Sequence, residues 1–165
     1  MTSRPVDSLP SRGSPPRGHL WAALGLLLAG WICSLGPRRA DAQPAPPAYR
    51  VITHPGNVDT TVERKFLAHA FLKKTTTWSD GEAIHPVDLP GSSPVRRRFS
   101  EDVLERPVAA VRSYWQQLIF SGRGLPPPEM DGDEAVLRYV TKHPGAVGYV
   151  SGTADVRSAK VLNIR

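Results

Sequence analysis

The stretch PVDLPGSSPVRRRF, residues 86–99, joins the end of a strand to the start of a helix through a short turn. Residues 84–87, bounded by Ile84 and Val87, are predicted to form a short strand, and the Pro-Gly pair that follows is typical of a turn. Ser93 is a favourable helix N-cap, and Pro94 suits the first helical position. Because a helix N-terminus presents N–H groups that attract anions, two interpretations stay open: an anion-binding loop, or only a well-capped helix start.

Strand and helix patterns alternate on both sides of this stretch. The capping-box spacings Thr60-x-x-Glu63 and Asp131-x-x-Glu134 each predict the start of a helix. The predicted strands are residues 49–53, 84–87, 146–151 and 160–164, and the predicted helices are about residues 61–72, 94–104, 108–120 and 132–142. This alternation predicts an α/β domain, a small mixed sheet flanked by helices.

The N-terminal 42 residues have the pattern of a secretory signal peptide. Residues 19–36 carry no formal charge when His19 is neutral, arginines precede them, and an Ala-x-Ala site ends at Ala42. The sequence therefore predicts export to the periplasm with cleavage after Ala42. The alternative is an uncleaved membrane anchor, since the apolar run is only slightly short of a spanning helix. The proline-rich residues 43–48 are predicted to form an extended tether.

The 123 residues from 43 to 165 suffice for one domain. Their composition excludes several classes of function. The only cysteine, Cys33, lies in the predicted signal peptide, so no disulfide or thiol nucleophile is expected in the domain. Five of the 21 basic and two of the 15 acidic residues precede residue 43, which leaves a net charge of +3. So small a positive charge does not by itself indicate a nucleic-acid-binding protein.

Two segments resemble the phosphate-binding proteins of ABC importers, which belong to the type II periplasmic-binding superfamily. The first is FLKKTTTWSDGEAIHPVDLPGSSPVRRRF, residues 71–99, and the second is PGAVGYV, residues 144–150, which is the more specific match. The resemblance covers residues 49–165 and implies one lobe of the type II periplasmic-binding fold. It further implies a non-catalytic solute-binding module that binds phosphate or another oxyanion and works with an ABC permease.

The chain departs from the family pattern in the loop before the helix. Asp88 stands where the anion-pairing arginine belongs, Ser92 keeps the serine, and Ser93 and Pro94 replace a glycine and a threonine. Two like charges about 4 Å apart repel by roughly 4 kcal/mol at an effective dielectric constant of 20. A helix terminus contributes only about 0.3–1 kcal/mol, so an ionised Asp88 in the cleft would oppose anion binding.

A second hypothesis follows from this departure and from a length that suffices for a single lobe. The domain would then be a protein-interaction or accessory module of the cell envelope, with a former ligand cleft that docks a partner protein.

Four residues are the candidate anion ligands. Ser92 and Ser93 lie at the helix start, Arg96 lies in its first turn, and Arg123 lies in the glycine-rich loop SGRG, where it can reach the mouth of a cleft. The histidines lack the spacing of a metal site, and no G-x-S-x-G or other nucleophile–base signature occurs. The sequence therefore predicts no metal, no cofactor, no catalytic residue and no enzymatic activity.

Overall fold

The computed structural model describes residues 47–165. The predicted signal peptide or anchor, residues 1–42, and tether residues 43–46 lie outside the described residues. The strands are β1 Tyr49–Thr53, β2 Thr61–Val62, β3 His85–Pro86, β4 Ala146–Ser151 and β5 Lys160–Ile164, and the helices are α1 Arg64–Phe71, α2 Pro94–Asp102, α3 Val108–Phe120 and α4 Asp133–Lys142. Within this part of the chain, every helix is too short or too polar to cross a bilayer.

The five strands form one mixed sheet in the order β2-β5-β1-β4-β3. The central strand β1 is antiparallel to both β4 and β5. The outer strands are parallel to their neighbours, β2 to β5 and β3 to β4. A mixed sheet flanked by helices was predicted from the sequence, and the architecture is confirmed.

Strand β2 corrects one sequence-based prediction. The capping box at Thr60 and Glu63 predicted a helix start, whereas Thr61 and Val62 pair with the C-terminal strand β5. The Thr60 carbonyl accepts from the Asn163 N–H at 3.0 Å, and Glu63 precedes α1 without a capping hydrogen bond from its side chain. Pairing with a distant strand therefore outweighs the local helix signal.

The start of α4 corrects a second prediction. Gly132, not Asp131, occupies the N-cap position of this helix, and no side chain of residues 47–165 caps it. Asp133 instead accepts from the Ser151 N–H at 3.0 Å and from the Ser151 hydroxyl at 2.5 Å. Asp133 thus ties the N-terminus of α4 to the end of β4.

The two segments of the resemblance meet in space. The Trp78 indole N–H donates to the Gly145 carbonyl at 2.9 Å, and Gly145 adopts a positive φ of 70° at the entry to β4. In β4, a Cβ added to Gly148 would lie 2.7 Å from Val136 and 2.9 Å from Val87, so α4 packs closely against the sheet. This close packing accounts for glycine at position 148 of the PGAVGYV segment.

Candidate functional site

A cleft of about 890 Å³ lies beside the N-terminus of α2, along one face of α3. Its apolar wall is formed by Val108, Trp115, Ile119, Leu125 and the three prolines 126–128. Its ionisable lining residues are Asp88, Arg96, Arg112 and Glu129, two acidic and two basic. The lining therefore has no net formal charge.

The loop after α3 is fixed against the chain segment that leaves β3. The Asp88 N–H donates to the Pro128 carbonyl at 2.9 Å, and the Met130 N–H donates to the Asp88 carbonyl at 2.8 Å. These two backbone hydrogen bonds flank Glu129 and hold the proline-rich wall of the cleft. Residues 125–128, the last four residues of the loop predicted at residues 121–128, therefore form one wall of the site.

The Asp88 side chain forms an ion pair with Arg96 inside the cleft. Asp88 is 4% exposed and Arg96 is 6% exposed, so both charges are shielded from water. The Asp88 carboxylate also accepts from the Tyr149 hydroxyl and from the Leu89 N–H, the latter at 2.9 Å. The carboxylate expected to repel an anion is thus neutralised by an arginine eight residues later.

Arg96 is only partly satisfied by this arrangement. Its Nη1 pairs with Asp88 and lies 3.4 Å from the Tyr149 hydroxyl, but its buried Nε has no hydrogen-bond partner among residues 47–165. Burial lowers the pKa of Arg96, while Tyr149 and Glu129 act in the opposite direction. A buried donor without a partner is costly, so the guanidinium of Arg96 still lacks an acceptor at Nε.

The four predicted site residues are not all brought together. Ser92 and Arg96 both line the cleft. Ser93 caps α2, since its hydroxyl accepts from the Arg96 N–H at 3.3 Å, as the helix-start interpretation predicted. Arg123 is exposed outside the cleft lining and donates through Nε to the Ser121 hydroxyl at 3.1 Å. The cleft therefore combines two of the four residues.

Tyr149 is a site residue that sequence reasoning missed. It is fully buried in β4, and its ring stacks on Phe99 of α2 at a centroid distance of 3.8 Å. A buried tyrosine hydroxyl normally requires a polar partner, and that signal in the PGAVGYV segment pointed to a polar contact without naming Asp88. Trp115, Arg112 and Glu129 were also missed, because their place in the lining depends on the packing of α3 and the proline-rich loop.

Unfolding in alkaline solution should depend on Tyr149. Burial raises the pKa of Tyr149 from 10.0 to about 12; Arg96 and the Leu89 N–H act against this rise, and Glu129 adds to it. A raised pKa in the fold means that the folded state favours the neutral hydroxyl. The contribution of this hydroxyl to the stability of the fold is therefore fully present below pH 10 and is lost as the pH rises through 12. We expect the free energy of unfolding to fall by about 2–3 kcal/mol over this range.

Urea titrations at several alkaline pH values measure this loss, with Tyr149→Phe as the control. The control variant keeps the ring and should show a flatter pH dependence between 10 and 12. Equal slopes for the two proteins would show that the phenol does not titrate differently in the fold.

Comparison with protein-family models and with curated protein sequences gives no match. Comparison with solved structures gives several matches. A protein assigned as a phosphate ABC transporter substrate-binding protein from Clostridium perfringens, solved with bound phosphate, aligns at a TM-score of 0.55 and 19% identity over 71% of this chain and 44% of its own.

Two further solved structures align with this chain to a similar extent. An ABC-type phosphate transport receptor from Vibrio cholerae aligns at a TM-score of 0.53 and 17% identity, over 71% of this chain and 46% of its own. PstS from Borrelia burgdorferi aligns at a TM-score of 0.55 and 12% identity, over 72% of this chain and 47% of its own. The chain spans less than half the length of these structures, and identities this low establish the fold alone. Residues 47–165 therefore have the fold of one lobe of a periplasmic substrate-binding protein.

Proposed function

We propose that the domain is an exported, non-catalytic solute-binding module that binds phosphate or another oxyanion weakly in the cleft beside α2. The observation that carries this proposal is Arg96, which lines the cleft in the first turn of α2 and whose buried Nε has no partner in the described part of the chain. Ser92 lines the same cleft and can donate through its hydroxyl. The fold supports a solute-binding role because its solved relatives include phosphate transport receptors.

The proposal includes export and an envelope partner. Export would follow from the signal peptide predicted at residues 1–42, with cleavage after Ala42. An ABC permease would be the partner if the module takes part in transport.

Weak binding follows from the donors that remain. The Arg96 charge is balanced by Asp88, Pro94 has no N–H, and the Arg96 N–H is taken by Ser93. A micromolar dissociation constant requires about 8 kcal/mol, whereas each hydrogen bond in a water-exposed cleft contributes about 1 kcal/mol net. We therefore expect a dissociation constant in the millimolar range.

Thermal unfolding in phosphate tests the proposal. With a millimolar dissociation constant, about 100 mM phosphate should stabilise the native state by about 2–3 kcal/mol, which raises the Tm by roughly 10 °C. Sodium chloride at equal ionic strength controls for screening.

Two serine variants locate the binding site. Ser92→Ala should reduce the phosphate shift, whereas Ser113→Ala, which alters an exposed serine on α3, should leave it unchanged. A phosphate shift no larger than the chloride shift would contradict oxyanion binding by the domain.

A second candidate function is favoured by exposed apolar side chains at the end of α3 and in the loop after it, of which Ile119 and Leu125 line the cleft. Phe120 is 89% exposed, Leu125 is 66% exposed and Ile119 is 47% exposed, and all three lie at the end of α3 or in the loop after it. Clustered exposed apolar side chains often mark a protein-binding surface. The domain would then dock an apolar segment of an ABC permease over the open cleft.

Retention of the purified domain on vesicles that contain an ABC permease tests this docking function. Phe120→Ser should lower retention at least several-fold, because a large aromatic anchor is lost. Val58→Ser is the matched control, since Val58 is 59% exposed and does not line the cleft. Equal retention of both variants and the unaltered domain would exclude this docking surface.

A further inference from the structure

We propose that Asp88 is a built-in counter-ion that occupies the donors of the cleft and thereby limits the binding of oxyanions from solution. This inference rests on the proposed function, since it concerns the same cleft, and it identifies the residue that sets the affinity and charge preference of the site.

The contacts of Asp88 are those that a bound oxyanion would make. Its carboxylate accepts from Tyr149, from the Leu89 N–H and from the Arg96 guanidinium. These donors come from β4, from the backbone after β3 and from α2, so three separate elements converge on one pair of oxygens. Convergent, preorganised donors of this kind are typical of anion sites in proteins.

Contacts within the described residues occupy the Arg96 guanidinium only in part. The Arg96 side chain is 7% exposed, it lines the cleft, and Asp88 engages it through Nη1 rather than Nε. One edge of the guanidinium is thus satisfied within the chain and another is not. An external acceptor can reach the cleft, but it meets a guanidinium whose charge is already balanced.

Competition between Asp88 and a solution anion explains how the carboxylate limits affinity. Asp88 is held against Arg96 by the fold, so its effective concentration far exceeds that of a free anion at millimolar concentration. An entering phosphate must displace the carboxylate or bind beside a neutral pair. Removal of the carboxylate charge would change the net charge of the lining from zero to +1 and free Arg96 Nη1 for the ligand.

The variant Asp88→Asn tests this inference, because asparagine keeps the size of the side chain and an acceptor for Tyr149 and Leu89 but carries no charge. We expect its affinity for inorganic phosphate to exceed that of the unaltered domain by at least about tenfold. About 100 mM phosphate should accordingly raise the Tm of the variant by roughly 5 °C more than it raises that of the unaltered domain. The double variant Asp88→Asn/Arg96→Met is the control and should lose this gain, since it lacks the guanidinium.

Every outcome of this experiment bears on the inference. If Asp88→Asn is unfolded in chloride, recovery of its circular dichroism spectrum in phosphate supports a counter-ion role. Asp88→Ser, whose hydroxyl can still accept from Tyr149, serves as a second variant. The inference is overturned if neither single variant folds in phosphate, or if folded variants respond to phosphate no more than the unaltered domain.

The same titrations separate this inference from the proposed function. A phosphate response in Asp88→Asn with none in the unaltered domain would support the counter-ion role and exclude weak oxyanion binding by the natural sequence. A response in the unaltered domain that does not increase in the variant would support the proposed function and exclude the counter-ion role.

Discussion

Replacement of Arg96 with methionine is expected to lower the free energy of unfolding by about 3–5 kcal/mol, because it leaves the Asp88 carboxylate buried without its cation. Asp88 is 4% exposed, so water cannot replace the lost guanidinium without a rearrangement of the cleft wall. The Tyr149 hydroxyl and the Leu89 N–H stay as donors, but neither carries a charge. Urea unfolding followed by circular dichroism measures the change through the midpoint at constant m.

Arg97→Met is the matched control for this experiment. Arg97 is the next residue of α2 and is exposed, so its replacement should change the free energy of unfolding by no more than about 0.5 kcal/mol. Similar losses for the two variants would mean that general charge or helix propensity, and not the buried pair, determines the effect.

Truncation of Phe99 to alanine should cost about 3–5 kcal/mol, the range for loss of a buried aromatic side chain. Phe99 is fully buried and stacks on Tyr149 with an interplanar angle of 8°, and Phe71 of α1 contacts it at a centroid distance of 4.8 Å. The variant therefore removes the contact that holds α2 and α1 against β4. Thermal and urea unfolding both measure the loss.

Phe120→Ala is the matched control for the aromatic truncation. Phe120 is 89% exposed at the end of α3, so the same chemical change should alter the free energy of unfolding by less than about 0.5 kcal/mol. A loss at Phe99 as small as that at Phe120 would contradict the assignment of Phe99 to the core between α2 and the sheet.

The parts of the fold that were predicted from the sequence depend on short-range chemistry. Ser93 caps α2 and Pro94 begins it, because the signal for a helix start lies within three residues. Strand β2 was missed because its partner, β5, is about 100 residues away and the strand has only two residues. A local pattern cannot encode so distant a partner.

The candidate site was predicted only in part for the same reason. Ser92 and Arg96, two of the predicted anion ligands, both line the cleft, since both belong to the turn and helix that the sequence indicated. The Asp88–Arg96 pair was not foreseen, because it requires the turn to fold the chain back on itself. Tyr149 reaches Asp88 from 61 positions away, and only the pairing of β3 with β4 brings the two strands together.

The cleft is electrically neutral because Asp88 balances the charge of Arg96. The fold supplies a helix N-terminus and a buried guanidinium, and the chain itself supplies the carboxylate that balances the charge. Oxyanion binding and partner docking then differ in what they require of Asp88. Under the first proposal an anion would have to compete with Asp88, whereas under the second an apolar partner at Phe120 and Leu125 would bind with the ion pair intact.

A double-mutant cycle between Asp88→Asn and Arg96→Met most directly tests whether the two side chains form one neutral unit. The free energies of unfolding of the unaltered domain, both single variants and the double variant give the coupling energy. We expect a coupling of at least about 2 kcal/mol, with the double variant more stable than Arg96→Met alone. Additive single-variant losses, with a coupling near zero, would show that Asp88 does not balance the charge of Arg96.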